Sequence, residues 1–148
     1  MELFRLPEHE VRMACWPLWI AHSFWDWYDS TEALHDEKQL YGGRTMGEHI
    51  DQLFCDLRCS KRPGSGGDLR RMMPNVDGVW SLHSYGVRCY GWASGAGSFV
   101  VVTGALEAET KRNKKLNDLK RDEVKKFVSD HKLESTVKLG DINAIYPR

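Results

Sequence analysis

Apolar and polar positions follow two different periods along this chain, and the change of period divides it. Ile20, Phe24, Trp27 and Tyr28 recur at helical spacing, with Asp26, Asp29, Glu32, Asp36 and Glu37 supplying an acidic opposite face. Trp16-Pro17-Leu18-Trp19 predicts the opening of this helix, since proline is tolerated in a first turn, and Tyr41-Gly42-Gly43 predicts its end. A second helix is predicted from Met46 to Cys59, with Ile50, Leu53, Phe54 and Leu57 on one side. Glu2 to Leu6 reads as a short strand or an extended arm, and Lys61 to Asp68 as a loop by its Pro, Gly and Ser content. Leu69 to Met73 reads as one helical turn or an edge strand before Pro74.

Beyond Asp77 the period falls to two. Val79 to Ser84 and Gly86 to Trp92 alternate as half-buried strands do, and Gly95 to Gly104 carries the apolar run Phe99-Val100-Val101-Val102. Glycine links of hairpin length join these segments into an antiparallel meander. Asn117 to His131 then predicts a helix with Leu119, Val124, Phe127 and Val128 inward, and Val137 to Tyr146 a last short strand or ordered tail. The expected fold is one α+β domain over residues 1–148. Two N-terminal helices pack on one face of a small curved antiparallel sheet, a three-stranded meander plus a possible edge strand, followed by a basic C-terminal helix. Residues 1–60 form its helical, acidic, Trp-rich part and residues 61–148 its sheet and basic helix.

Composition alters this picture only when charge is resolved by position. The chain has 148 residues, 41% of them hydrophobic, which is enough for one core, and its formal net charge is zero. Residues 1–57 hold four Lys/Arg against eleven Asp/Glu, whereas residues 58–148 hold seventeen against ten. A neutral chain divided in this way can present a basic binding face, or its two halves can attract each other. No apolar run approaches the roughly 20 residues that a membrane-spanning helix needs. The N-terminus lacks the basic-then-apolar layout of a signal peptide, so a cytoplasmic location is expected, with Cys15, Cys55, Cys59 and Cys89 reduced.

Several groups of residues bear on chemistry. Gly64-Ser65-Gly66-Gly67-Asp68 lacks the Gly-Lys-Ser/Thr ending of a phosphate loop and reads as a connector. His49, Cys55 and Cys59 offer too few ligands for a zinc site, and neither a metal nor a cofactor is expected. Trp16, Trp19, Trp25 and Trp27, beside Asp26 and Asp29, are candidate contacts for a protein partner, although some belong to the core at this spacing. Arg88 lies in the second strand between Val87 and Cys89, and so faces opposite to them. With Lys111, Arg112, Lys114 and Lys115 it could cradle a phosphodiester, because a guanidinium stays charged and holds phosphate through two hydrogen bonds. Cleavage of RNA by its own 2′-hydroxyl needs a base, an acid and a stabiliser of the phosphorane charge. His83 and Tyr85 are the proton-transfer candidates, Arg88 and Lys111 the charge stabilisers, and Tyr90, Arg112, Lys114 and Lys115 further RNA contacts.

Asp77-Gly78-Val79-Trp80-Ser81-Leu82, then Tyr85-Gly86-Val87-Arg88-Cys89-Tyr90, then Phe99 to Gly104 followed by Lys111 to Lys115, resembles the second half of the RelE/HigB superfamily of bacterial and phage toxins. The resemblance covers roughly residues 75–131. It implies a small α+β fold and metal-independent cleavage of mRNA on the ribosome, restrained by an antitoxin. The pattern departs from the family in two places. His83 stands where an arginine is common, and Ala105-Leu106-Glu107-Ala108-Glu109 stands where an aromatic and two lysines are common. Two alternatives belong to other classes. One is a non-enzymatic phage or bacterial inhibitor or adaptor that docks on a host protein through the acidic, Trp-rich half. The other is an RNA- or DNA-binding module on the basic face.

Overall fold

A computed structural model describes residues 1–5, 18–58, 69–71, 78–93 and 99–133. Its elements in chain order are β1 (Glu2–Leu3), β2 (Leu18–Ile20), α1 (His22–Ser30), a 3₁₀ turn (Glu32–His35), α2 (Met46–Arg58), β3 (Leu69–Arg71), β4 (Val79–Ser84), β5 (Val87–Ala93), β6 (Phe99–Leu106), α3 (Glu107–Arg112) and α4 (Lys115–Asp130). The six strands form one mixed sheet in the order β1-β2-β6-β5-β4-β3. The α+β class therefore stands, and the sheet is larger than a meander with one edge strand. Strands β4, β5 and β6 are antiparallel neighbours, β3 adds to β4 as an edge, and β2 runs parallel to β6.

The parallel pair corrects the reading of Trp16 to Trp19 as a helix opening. Leu18, Trp19 and Ile20 pair with Phe99, Val100 and Val101, and their side chains alternate buried, exposed, buried. Helix α1 begins only at His22, and the chain from Thr31 to Arg44 is a 3₁₀ turn followed by turns, where one continuous helix was expected. Tyr41-Gly42-Gly43-Arg44 is itself a tight turn. Gly42 (φ 60°) and Gly43 (φ 80°) both occupy the left-handed region, and Tyr41 and Arg44 exchange backbone hydrogen bonds of 2.8 and 3.2 Å. Helix α2 begins in a reciprocal cap. The Thr45 N–H donates to Glu48 Oε1 and the Glu48 N–H to Thr45 Oγ1, both at 3.1 Å.

Both faces of the sheet are covered, a second departure from the expected arrangement. Val87 and Cys89 of β5 join Trp80 and Leu82 of β4 against α1 and α2, in a core centred on Phe24 and Phe54, whose ring centroids lie 5.5 Å apart. On the other face Val79, Tyr90, Val100 and Val102 pack against Val124 of α4. Side chains of β6 alternate between the two cores, Phe99 and Val101 to the first and Val100 and Val102 to the second, and its pairing with β5 shifts register between Tyr90 and Gly91. Among the described residues no helix is long and apolar enough to cross a membrane. The expected element from Val137 to Tyr146 lies outside the described residues, as do Cys15 and Cys59. Cys89 is a buried thiol and Cys55 a half-buried one.

Candidate RNA-binding surface

The strand register sorts the expected site residues onto two sides of the β4–β5 hairpin. His83 pairs directly with Arg88, and Ser81 with Tyr90, so these four side chains share the face that α4 crosses. Ser81 Oγ and His83 Nε2 lie 3.0 Å apart, which ties the imidazole to its own strand. Arg88 is half-buried, and its Nη1 donates to Asn117 Oδ1 of α4 over a long 3.4 Å. Its Nε is buried with no hydrogen-bond partner among the described residues. The guanidinium also hydrogen-bonds with the Tyr90 hydroxyl, so it is tied to both β5 and α4.

Tyr90, expected among the RNA contacts, is fully buried. Its hydroxyl donates a short hydrogen bond to the same Asn117 Oδ1. Burial pushes its phenol up to about 12, with the Arg88 charge pulling the other way, so it remains a protonated donor. Tyr90 thus anchors α4 and presents nothing to solvent. Asn117 was not singled out in the sequence, because a helix-borne asparagine carries no spacing signal of its own. Three residues further along α4, Lys120 Nζ donates to Thr103 Oγ1 at 3.2 Å. Lys114 and Lys115 are exposed at the start of α4.

Tyr85 and Lys111 lie around the hairpin tip and α3. Tyr85 and Gly86 are the two loop residues between the paired Ser84 and Val87, and Gly86 takes φ 69° as the second loop position of such a turn demands. Tyr85 is 58% exposed and stacks on Tyr41, with ring centroids 5.7 Å apart at 29°, while the His49 ring lies 4.3 Å away at 45°. His49, Gln52, Leu53 and Asp56 of α2, His83 to Gly86 of the hairpin, and Glu107 line a cleft of about 530 Å³. Lys111 forms an ion pair of 3.4 Å with Glu107 one helical turn earlier. Arg112 is exposed and lines a shallow hollow with Glu109, Asn113 and Leu116.

The aromatic partner candidates differ in exposure. Trp19 is 37% exposed, Trp25 and Trp27 are half-buried against Phe24, and Asp26 and Asp29 are exposed. A side chain at Gly104 would meet the Trp27 ring at 2.4 Å, so Trp27 is seated on the sheet. Trp16 lies outside the described residues. Comparison with protein-family models, with curated proteins and with solved structures finds no match in any of the three. The likeness to RelE/HigB toxins therefore rests on the motifs from Asp77 to Lys115 alone.

Proposed function

We propose that this chain is a RelE/HigB-like toxin, a ribosome-directed RNA endonuclease that cuts mRNA with the RNA's own 2′-hydroxyl as nucleophile. The observation that carries the reading is the cross-strand pair His83–Arg88, on the face that α4 crosses near its lysine-bearing first turn. Arg88 binds the non-bridging oxygens of the scissile phosphate and offsets the charge that grows on them. His83 takes part in proton transfer, from the 2′-hydroxyl that attacks or to the 5′-oxygen that leaves. Lys114 and Lys115 draw the RNA backbone to the face. The carboxylates of Glu107 and Glu109 oppose phosphate binding nearby, an effect that Lys111 reduces by pairing with Glu107.

The test is cleavage of mRNA on translating ribosomes by the purified protein, together with growth on induced expression. Arg88→Ala and His83→Gln should each abolish cleavage and growth arrest, while Arg88→Lys should recover little, because a point charge lacks the two-pronged donor. Growth arrest undiminished in all three variants would refute the endonuclease. The exposure of Trp19 favours the second reading, an inhibitor or adaptor docked on a host protein through Trp19, Trp25, Asp26 and Asp29. That reading requires Trp19→Ala to abolish growth arrest while Arg88→Ala leaves it intact.

A further inference from the structure

The cleft at the hairpin tip lies between α2 and the end of the β4–β5 hairpin, and its lining among the described residues includes His83 but not Arg88. Its lining includes the exposed Tyr85 ring, which contacts the rings of Tyr41 and His49. Tyr41 belongs to the two-glycine turn, where its N–H and carbonyl bond to Arg44, and its carbonyl also meets the His49 ring nitrogen. Tyr85 sits in the Ser84–Val87 turn, where the Gly86 carbonyl accepts the Glu107 N–H at 2.9 Å. The backbone on either side of the ring contact is thus fixed, and the Tyr41 and His49 rings limit the Tyr85 rotamers, which lowers the entropic cost of holding the ring in place.

The walls are polar, and their chemistry narrows the ligand. Gln52 is oriented by donating to Asp56 at 3.0 Å and by accepting from Arg44 at 3.4 Å. With Ser84 and Glu107 these groups supply both donors and acceptors, and among the described residues Leu53 is the one aliphatic side chain in the lining. A protein hot spot would instead be centred on packed apolar side chains. The carboxylates of Asp56 and Glu107 disfavour a phosphate inside the cleft but accept well from the ring and exocyclic N–H groups of a base. A volume of about 530 Å³ suits one planar heterocycle, within the roughly 300–1,000 Å³ of small-ligand sites.

We infer that this cleft binds a nucleobase of single-stranded RNA, stacked on Tyr85 and read along its polar edge by Gln52 and Glu107. The inference rests on the proposed endonuclease reading and extends it to the substrate. His83 pairs with Arg88 near the end of the hairpin and Tyr85 forms its tip, so the two sites are a few residues apart along the strands. A strand draped over the tip places a phosphate at Arg88 and a neighbouring base on Tyr85. Lys111, whose side chain is 71% exposed, lies beside the path for the connecting backbone.

The test uses the full chain and a fluorescein-labelled 2′-O-methyl RNA hexamer, which cannot be cleaved, with affinity read by anisotropy across a salt series. Tyr85→Ala should weaken binding by about 5- to 150-fold, the range of one base stacked on an aromatic ring. Tyr85→Phe should stay within about twofold, and neither variant should change the slope of affinity against salt, because a stacked ring releases no counterion. Unchanged affinity in Tyr85→Ala would overturn the inference, as would an equal loss in Tyr85→Phe or a reduced salt slope. Unchanged RNA affinity together with lost growth arrest would assign the cleft to a protein partner, and the inference would fail. Hexamer binding that depends on Tyr85 in a protein that cuts no mRNA would sink the endonuclease and leave the base platform standing. Cleavage that persists with no dependence on Tyr85 would do the reverse.

Discussion

Replacing Tyr90 by Phe removes one oxygen atom from the centre of the proposed site and separates anchoring from RNA contact. Tyr90 is fully buried, and its hydroxyl is the stronger of two donors to Asn117 Oδ1, since the bond from Arg88 is 3.4 Å long. Deleting it loses a hydrogen bond worth about 0.5–1.5 kcal/mol net and leaves the Asn117 oxygen poorly satisfied, at a cost of about 1–3 kcal/mol if no water replaces it. Asn117 is only half-buried, so the sum should fall at about 1–2 kcal/mol. For a chain of 148 residues this corresponds to a melting temperature lower by about 2–8 °C. The measurement is thermal unfolding followed by circular dichroism, with Tyr85→Phe as the control, because its exposed hydroxyl should be worth no more than about 0.5 kcal/mol. The sign with pH also follows. A phenol raised to about 12 in the folded state contributes stability that is fully present below its unfolded value near 10 and is lost as pH rises through 12. The gap between wild type and Tyr90→Phe should therefore be flat from about pH 6 to 9 and shrink in alkali. Equal melting of wild type and Tyr90→Phe, or an equal loss in Tyr85→Phe, would refute the reasoning.

Other outcomes follow from the same packing. An alanine Cβ at Gly91 would lie 2.2 Å from the Val100 carbonyl oxygen and 2.4 Å from the Phe99 ring, so Gly91→Ala should cost at least the roughly 1–3 kcal/mol of an overpacked core in a denaturant titration. Thr45→Ala removes half of the α2 cap and should cost about 0.5–2 kcal/mol. Hydrogen bonds from the Thr45 N–H and hydroxyl hold the Glu48 carboxyl below its ordinary range, so its stabilisation is present above the unfolded carboxylate value and lost as pH falls through the folded one. Glu48→Ala should accordingly melt below wild type at neutral pH and alongside it in strong acid. Burial pushes the Cys89 thiol far up, so in the native protein it should resist a disulfide reagent that reacts fully after denaturation.

The meander was legible because its signals are local. Alternation in β4 and β5, glycines at the turns and the basic run after β6 all lie within a few residues of the structure they specify. The helix of Asn117 to His131 was legible in its 3.6 period, with Val124 inward as expected, but Leu119, also expected inward, is 56% exposed. Leu18-Trp19-Ile20 misled because Pro17 and the aromatic spacing mimic a helix start, while the partner that makes them a strand lies in β6. The cover on both faces had a signal that could have been read. Phe99 to Val102 is a continuous apolar run, as a strand buried on both sides requires, and it conflicts with helices on one face only. The shared face of Arg88 and His83 follows from their strand positions, whereas only the tertiary fold brings Asn117, Tyr41 and His49 to the hairpin.

The parallel pairing of β2 with β6 also fixes an order of assembly. Ser23 at the start of α1 bonds to Val102, 79 positions later, while β4, β5 and β6 each meet a neighbour in sequence. Closing so long a loop carries a large entropic cost, so the hairpins form first and the N-terminal segment docks late. On a translating ribosome, residues 18–58 leave the exit tunnel with their aromatic face uncovered until β4 and β5, and then β6, are made. Through that interval Phe24 and Phe54 are available to chaperones or to misassembly. A chain cut short before Phe99 would have both N-terminal helices and the β4–β5 hairpin but would lack β6, the strand that pairs with β2 and accepts the Ser23 hydroxyl.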